Sequence, residues 1–235
     1  MATQDRAIRT RRTILTAAAK IFEERGYQAA TISEILTTAG VTKGALYFHF
    51  PTKEDLAEGV IREQDHQPAL PDHPCKVQQL VDTMHLHAHR LQTDPLVRAG
   101  VRLSLDQQAQ GLDRSAPFHR WSQVGTQLLQ KAATQNELLP HVNPAQSAHT
   151  LVGAFAGIQA MSQAITNYQD LPTQVTTLLQ HTLPSITTPP VLATLSNTPQ
   201  RGAQLHHQLA AAQIAGTDAD TDAAADSTRQ AAAFS

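Results

Sequence analysis

Two capping boxes with a glycine between them constrain this chain more than anything else in it. The first is Thr31-Ile-Ser-Glu34 and the second Thr52-Lys-Glu-Asp55, both within TISEILTTAGVTKGALYFHFPTKEDL (31–56). In such a box the threonine hydroxyl and the acidic side chain three residues on satisfy each other's backbone amides, so each marks where a helix begins. Gly40 can take the left-handed conformation that closes a helix. Thr42 then offers a fresh N-cap, and Pro51 stops what Thr42 starts. Two short helices are therefore predicted, over about 32–39 and 43–50, joined by a tight glycine turn. Upstream, Ile14, Ala17, Ala18, Ile21 and Phe22 recur at helical spacing in RTRRTILTAAAKIFEERGYQAAT, with Gly26 as the expected stop. Downstream, KEDLAEGVIREQ reads as a fourth helix. Three short helices in this arrangement make a helix-turn-helix.

The third helix carries an unusual surface. Leu46 and Phe50 lie four apart and, with Val41 from the turn, form its inward face. Lys43 and Tyr47 are also four apart, on a different face. Gly44 beside them costs about 1 kcal/mol against alanine in a helix, and is explained if something bulky approaches the backbone there. A DNA major groove is such an object, entered by the N-terminal half of a recognition helix. Lys43 can reach guanine or a phosphate, Tyr47 and His49 can donate to phosphate oxygens, and Lys53 is expected to clamp a phosphate. Thr31, Thr42, Ala45 and Phe48 complete the expected DNA-binding set.

Charge supports this division. Residues 1–53 hold eight Lys/Arg against four acids, a net of +4, while the remaining ten against sixteen give −6. A basic head on an acidic body suggests a polyanion-binding module joined to something different. Mean hydropathy of −0.29, with no apolar run of membrane-spanning length, argues against a membrane span. No signal peptide is read in MATQDRAIRTRR, and the lone Cys75 fits a reducing, cytoplasmic setting.

The rest of the chain also reads as helices. PALPDHP (68–74) is a linker. A helix is predicted from about Lys76 to Gln92, and Asp94-Pro95 opens another. Pro117–Leu139 surrounds the only tryptophan, Trp121, and Asn143-Pro144 starts AQSAHTLVGAFAGIQAMSQAITNY. Gly153, Ala156, Gly157 and Ala160 would let a second helix approach closely. Further helical pieces are expected near 172–182 and 190–213. The acidic end, with few large apolar groups, reads as disordered. The expected fold is all-α: a helix-turn-helix domain at 1–52, a helical ligand-binding and dimerisation domain at 53–215 whose residues 53–65 form the connecting helix, and a disordered tail at 216–235.

Residues 31–56 resemble the DNA-binding motif of TetR-type repressors, in which the central glycine, the Tyr-x-His-Phe run and the following lysine recur; the resemblance covers roughly residues 10–60. RAIRTRRTILTAAAKIFEERGYQAATISEIL with VTKGALYFHF is similar, more narrowly, to the γ-butyrolactone autoregulator receptors of actinomycetes, and FHRWSQ and LVGAFAGIQAMS fit that subfamily. The resemblance implies an all-α homodimer that binds operator DNA, holds a small apolar lactone, furan or butenolide signal, and represses antibiotic-regulatory genes. It also implies that Trp121 flanks the signal cavity; composition alone would place a lone tryptophan in the core. Gln64, at the end of the fourth helix, can hydrogen-bond a lactone carbonyl or sit exposed in a linker. Phe155 and Gln159, four apart on one face, offer an apolar wall and a polar anchor, or ordinary helix packing. The receptors often carry a hydroxyl residue at the position of Ala156.

Other functions have weaker support. A TetR-type regulator answering to an antibiotic or another apolar compound is the nearest alternative. His85, His87 and His89 alternate, and His85 with His89 is an acceptable metal-binding pair, yet twelve histidines make chance clustering the simpler account. No G-x-S-x-G, H-E-x-x-H or phosphate-binding glycine loop occurs, so no enzyme and no cofactor is expected.

Overall fold

The computed structural model describes residues 2–63, 70–106 and 111–212. Its helices are α1 (Ala2–Ala29), α2 (Ile32–Ala39), α3 (Lys43–His49), α4 (Lys53–Glu63), α5 (Lys76–Thr93), α6 (Pro95–Leu105), α7 (Ala116–Thr134), α8 (Pro144–Thr166), α9 (Leu171–Ile186) and α10 (Pro189–Leu192). A last helical stretch, α11, covers residues 201–212. No strand occurs among the described residues; Leu138 and Thr187 make one isolated antiparallel bridge. The all-α expectation is met. Gln64 and the acidic tail at 216–235 lie outside the described residues.

Local chemistry sets the head. The Glu34 amide donates to the Thr31 hydroxyl while the Glu34 carboxylate accepts from the Thr31 amide at 3.0 Å. Thr52 and Asp55 repeat the exchange at the start of α4. Gly40 closes α2 at φ 63°, ψ 31°, the left-handed region a side chain disfavours. The regular part of α1 breaks at Gly26, and one more turn carries Tyr27 inward. What periodicity missed is the start of α1, which is helical from Ala2 rather than from about Arg9.

Two apolar clusters result. Ile14, Phe22, Ile35, Leu46, Phe50 and Leu56 centre the head cluster. Each such fully buried side chain contributes about 1.5–3 kcal/mol. Val77, Val81, Leu91, Leu129, Leu151 and Leu179 centre the body cluster. Helix α6 belongs to both: Ala99 and Leu103 are buried in the head cluster, Val97 and Val101 in the body cluster. Positions two apart on a helix point about 200° from each other, so α6 is apolar on opposite faces by simple geometry. Arg98 and Arg102 add polar ties from α6 to the end of α1. The Arg98 Nε donates to the Glu23 carboxylate at 2.8 Å, and Arg102 donates to the Glu23 carbonyl. Helix α4 packs equally tightly: a Cβ on Gly59 would lie 2.8 Å from the Phe50 ring.

The body departs from expectation in one place. The helix expected over 190–213 is divided, because residues 193–200, with Asn197 and Pro199, form a non-helical connection between α10 and α11. Among the described residues nothing approaches within 4 Å of a Cβ built on Gly153 or Gly157 of α8; a close crossing is made by Gly125 of α7 against Ala148. Glu137, itself buried, holds the start of α5 by accepting from the Lys76 and Val77 amides at 2.9 and 2.8 Å.

Candidate functional site

Recognition chemistry is concentrated on α3. Thr42 caps the helix by accepting from the Ala45 amide at 3.2 Å, so its hydroxyl is part of the scaffold as well as the surface. Leu46 and Phe50 are buried, while Lys43, Gly44, Tyr47 and Phe48 are exposed. Phe48 is 81% exposed, and an apolar partner such as a thymine methyl would take that apolar surface out of water. The Lys43 ammonium lies 5.8 Å from the Tyr47 ring centre, and the His49 ring meets Phe48 edge-on at 5.1 Å. Thr31 is exposed at the start of α2, though its hydroxyl is already bonded to Glu34.

Lys53, expected to clamp a phosphate, already has partners within the head. Its ammonium donates to the Gln28 carbonyl at 3.3 Å and stands 4.7 Å from the Tyr27 ring centre. Burial there pushes its pKa down, against the opposing pull of Glu54. A phosphate would have to replace these contacts to engage it.

The second feature is a cavity in the body. Helix α5 supplies Thr83, Met84 and His87, α6 Val101 and Ser104, α7 Phe118 and Trp121, and α8 Phe155, Ala156 and Gln159. Three residues singled out from the sequence, Trp121, Phe155 and Gln159, thus share one cavity. Its walls are mostly apolar. Two of its hydroxyls turn back on their own helices, Thr83 to the Gln79 carbonyl and Ser104 to the Gly100 carbonyl. Gln159 is different: it is 6% exposed, and its side-chain oxygen has no hydrogen-bond partner among the described residues. A buried carboxamide left in that state is unfavourable by about 1–3 kcal/mol, so a donor in the cavity would be favoured.

His87 is the cavity residue that sequence reasoning did not assign. Its ring lies 4.9 Å from Trp121 and 5.5 Å from Phe155. Burial, with a smaller push from Arg90, drives its pKa down to about 3, so the imidazole is neutral at ordinary pH. Helical spacing was the available signal: His87 is four residues from Thr83 and three from Met84, on the wall-forming face of α5. The neighbouring histidines face elsewhere. His85 bonds Asn197 at 2.8 Å, and His89 stacks near His206. Among the described residues no group of three or more His, Cys, Asp or Glu side chains is placed to hold a metal ion.

A helix-turn-helix head sharing one helix with a cavity-bearing helical body is the architecture of a DNA-binding regulator. Residues 14–60 match the model of bacterial regulatory proteins of the tetR family, and residues 76–187 match the tetracyclin repressor-like C-terminal domain. The chain belongs to the tetR family of DNA-binding repressors, which are not enzymes. It is 37% identical to the A-factor receptor protein of Streptomyces griseus, over 94% of this chain and 84% of that one. Among solved structures it is similar to TylP, a tetR regulator from Streptomyces fradiae, at 42% identity and a TM-score of 0.79, covering 88% of this chain and 92% of that one. A γ-butyrolactone receptor described as ArpA-like is 29% identical with a TM-score of 0.62, over 86% and 99% of the two chains.

Proposed function

We propose that this chain is a homodimeric, cytoplasmic repressor that leaves its operator when a small lactone-type signal fills the body cavity, and that it controls antibiotic biosynthesis genes. In this reading residues 1–52 bind DNA through α3, and residues 53–215 bind the signal and the second protomer. The observation that carries it is the double membership of α6. Val101 and Ser104 line the cavity, while Ala99 and Leu103 sit in the apolar core of the head, against α1 and α4. An occupant that displaces α6 moves a wall of the head as well. In a two-fold dimer the recognition helices must stand about 34–36 Å apart to enter successive major grooves, so a small tilt of the heads abolishes simultaneous docking.

The ligand chemistry follows from the walls. Apolar area supplies affinity, and Gln159 with the neutral His87 fixes orientation, which suits an uncharged molecule with one ring carbonyl and one hydroxyl. Similarity to the A-factor receptor and to a γ-butyrolactone receptor supports the same class. Dimerisation uses the face of α8 that the chain itself leaves open. Gly153, Gly157, Ala160, Met161 and Ile165 lie along it, and Met161 and Ile165 are 62% and 72% exposed.

The test is a gel shift on the DNA upstream of the chain's own gene, with and without a synthetic γ-butyrolactone. A shift abolished by the lactone is expected; a shift indifferent to every lactone, furan and butenolide tried refutes the signal class while leaving DNA binding intact.

A further inference from the structure

Helix α11 is fastened along the outer side of α5. Asp82, His85 and His89 lie three and four apart on α5, in a stripe opposite the Thr83, Met84 and His87 that line the cavity. Arg201, the first residue of α11, gives two bonds to the Asp82 carboxylate. The connection before it is held by Gln78, whose side-chain amide exchanges bonds with the Ser196 backbone at 2.7 and 3.2 Å. The crossing has no slack at Gly202, where a Cβ would collide with the His85 carbonyl oxygen and stand 2.9 Å from the His89 Cβ. Beyond Asp82 the seam is imidazole. Asn197 donates its amide nitrogen to the Thr176 carbonyl, so its oxygen faces His85 and accepts from Nε2 at 2.8 Å. The other ring nitrogen of His85, Nδ1, is buried with no partner among the described residues. A neutral ring leaves only a bare acceptor there. A second proton would bury a charge and a donor with nothing to receive it. One turn on, the His89 ring centre lies 5.1 Å from that of His206, which lies 6.2 Å from that of His207.

We propose that the seam between α5 and α11 is an acid-released clasp: it stays shut while His85 and His89 are neutral, and protons open it, freeing α11 before the rest of the fold. The charged and titratable groups facing these rings are Asp82, which opposes release, and Arg201, His206 and His207, which favour it. Burial is the leading cause that lowers the pKa of both histidines, and His206 and His207 push the same way on His89. Docking is therefore at full strength above the ordinary histidine value near 6.5 and weakens as pH falls below it. Opening removes the support behind the cavity wall that α5 forms, which makes the clasp a regulatory element of the body.

Hydrogen exchange on the full chain at pH 7.5 and pH 5.5, read as protection factors at several low urea concentrations, tests the clasp. At pH 5.5 the amides of α11 should be less protected than those of α8 and should depend more weakly on urea, because opening α11 alone exposes less surface than global unfolding. Between the two pH values α11 should lose up to about tenfold in protection for each histidine that docking keeps neutral. His85→Gln/His89→Gln, which keeps a donor for Asn197 and cannot take up the protons, should lose much less. His89→Gln alone, at a half-buried site that tolerates the change, should remove part of the loss and serves if the double variant does not fold. If α11 and α8 share one protection and one urea dependence at pH 5.5, α11 opens only with the whole fold and the clasp is overturned. An acid loss undiminished in the variants overturns it equally.

Discussion

At the residue scale, His87 links the cavity to a measurable property of the whole fold. Its folded pKa of about 3 lies far below the usual histidine value near 6.5. The unfolded chain therefore binds a proton that the folded chain refuses. The stabilisation is fully present above pH ~6.5 and is lost as pH falls toward the folded value, with a slope approaching about 1.4 kcal/mol per pH unit. Burial also lowers the pKa of His85 and His89, and so adds in the same direction. Urea denaturation at pH 7.5 and pH 5.5 should show lower stability in acid, and His87→Phe should remove part of that difference. Equal acid sensitivity in the parent and the variant would show that His87 is not held neutral by burial. The sequence did not reveal this residue, because its burial comes from rings on α7 and α8, far away along the chain. The capping threonines were legible for the opposite reason: each bonds a partner only three positions away.

At the element scale, α5 is held from both sides by polar groups rather than by apolar packing alone. Glu137 caps its start. Near its middle, Asp82 accepts two bonds from the Arg201 guanidinium at 2.7 and 2.6 Å, with a third from Gln78 at 2.6 Å. Arg201 opens α11, so the pair ties the last described helix to the wall of the cavity. Removing one partner of such a little-exposed pair leaves a charge uncompensated, which costs about 3 kcal/mol. Arg201→Ala should lower unfolding stability by that order in a denaturant titration; Asp82→Asn/Arg201→Met, which removes both charges, should recover much of the loss. Periodicity revealed that a helix exists near the C-terminus. It did not show that the turn around Asn197 divides it, nor what it packs against, because both depend on α5. The double face of α6 was hidden similarly. PLVRAGVRLSL is apolar at alternating positions on both sides, and only the fold says which side meets the head.

At the scale of the whole molecule, the open face of α8 and the head must act together. Ile165→Asp places a charge in the face assigned to the second protomer, and sedimentation should show monomers in place of dimers, with operator affinity reduced by at least 10-fold because two half-sites are no longer joined. An Ile165→Asp chain that remains dimeric would move the interface elsewhere. The sequence showed that α8 carries small residues along one face but not that Gly153 and Gly157 stay uncovered among the described residues, since an open glycine and a covered one read alike. If cavity and head share one equilibrium, the coupling between them is reciprocal. Trp121, the only tryptophan, stands in the cavity wall and reports its occupancy directly. Trp121 emission should therefore be titrated with a synthetic γ-butyrolactone, once on the free protein and once on protein saturated with operator DNA. Weaker lactone binding to the DNA-bound form is expected, by the same factor by which the lactone weakens DNA binding; identical affinity for the two forms would show that cavity and head are uncoupled.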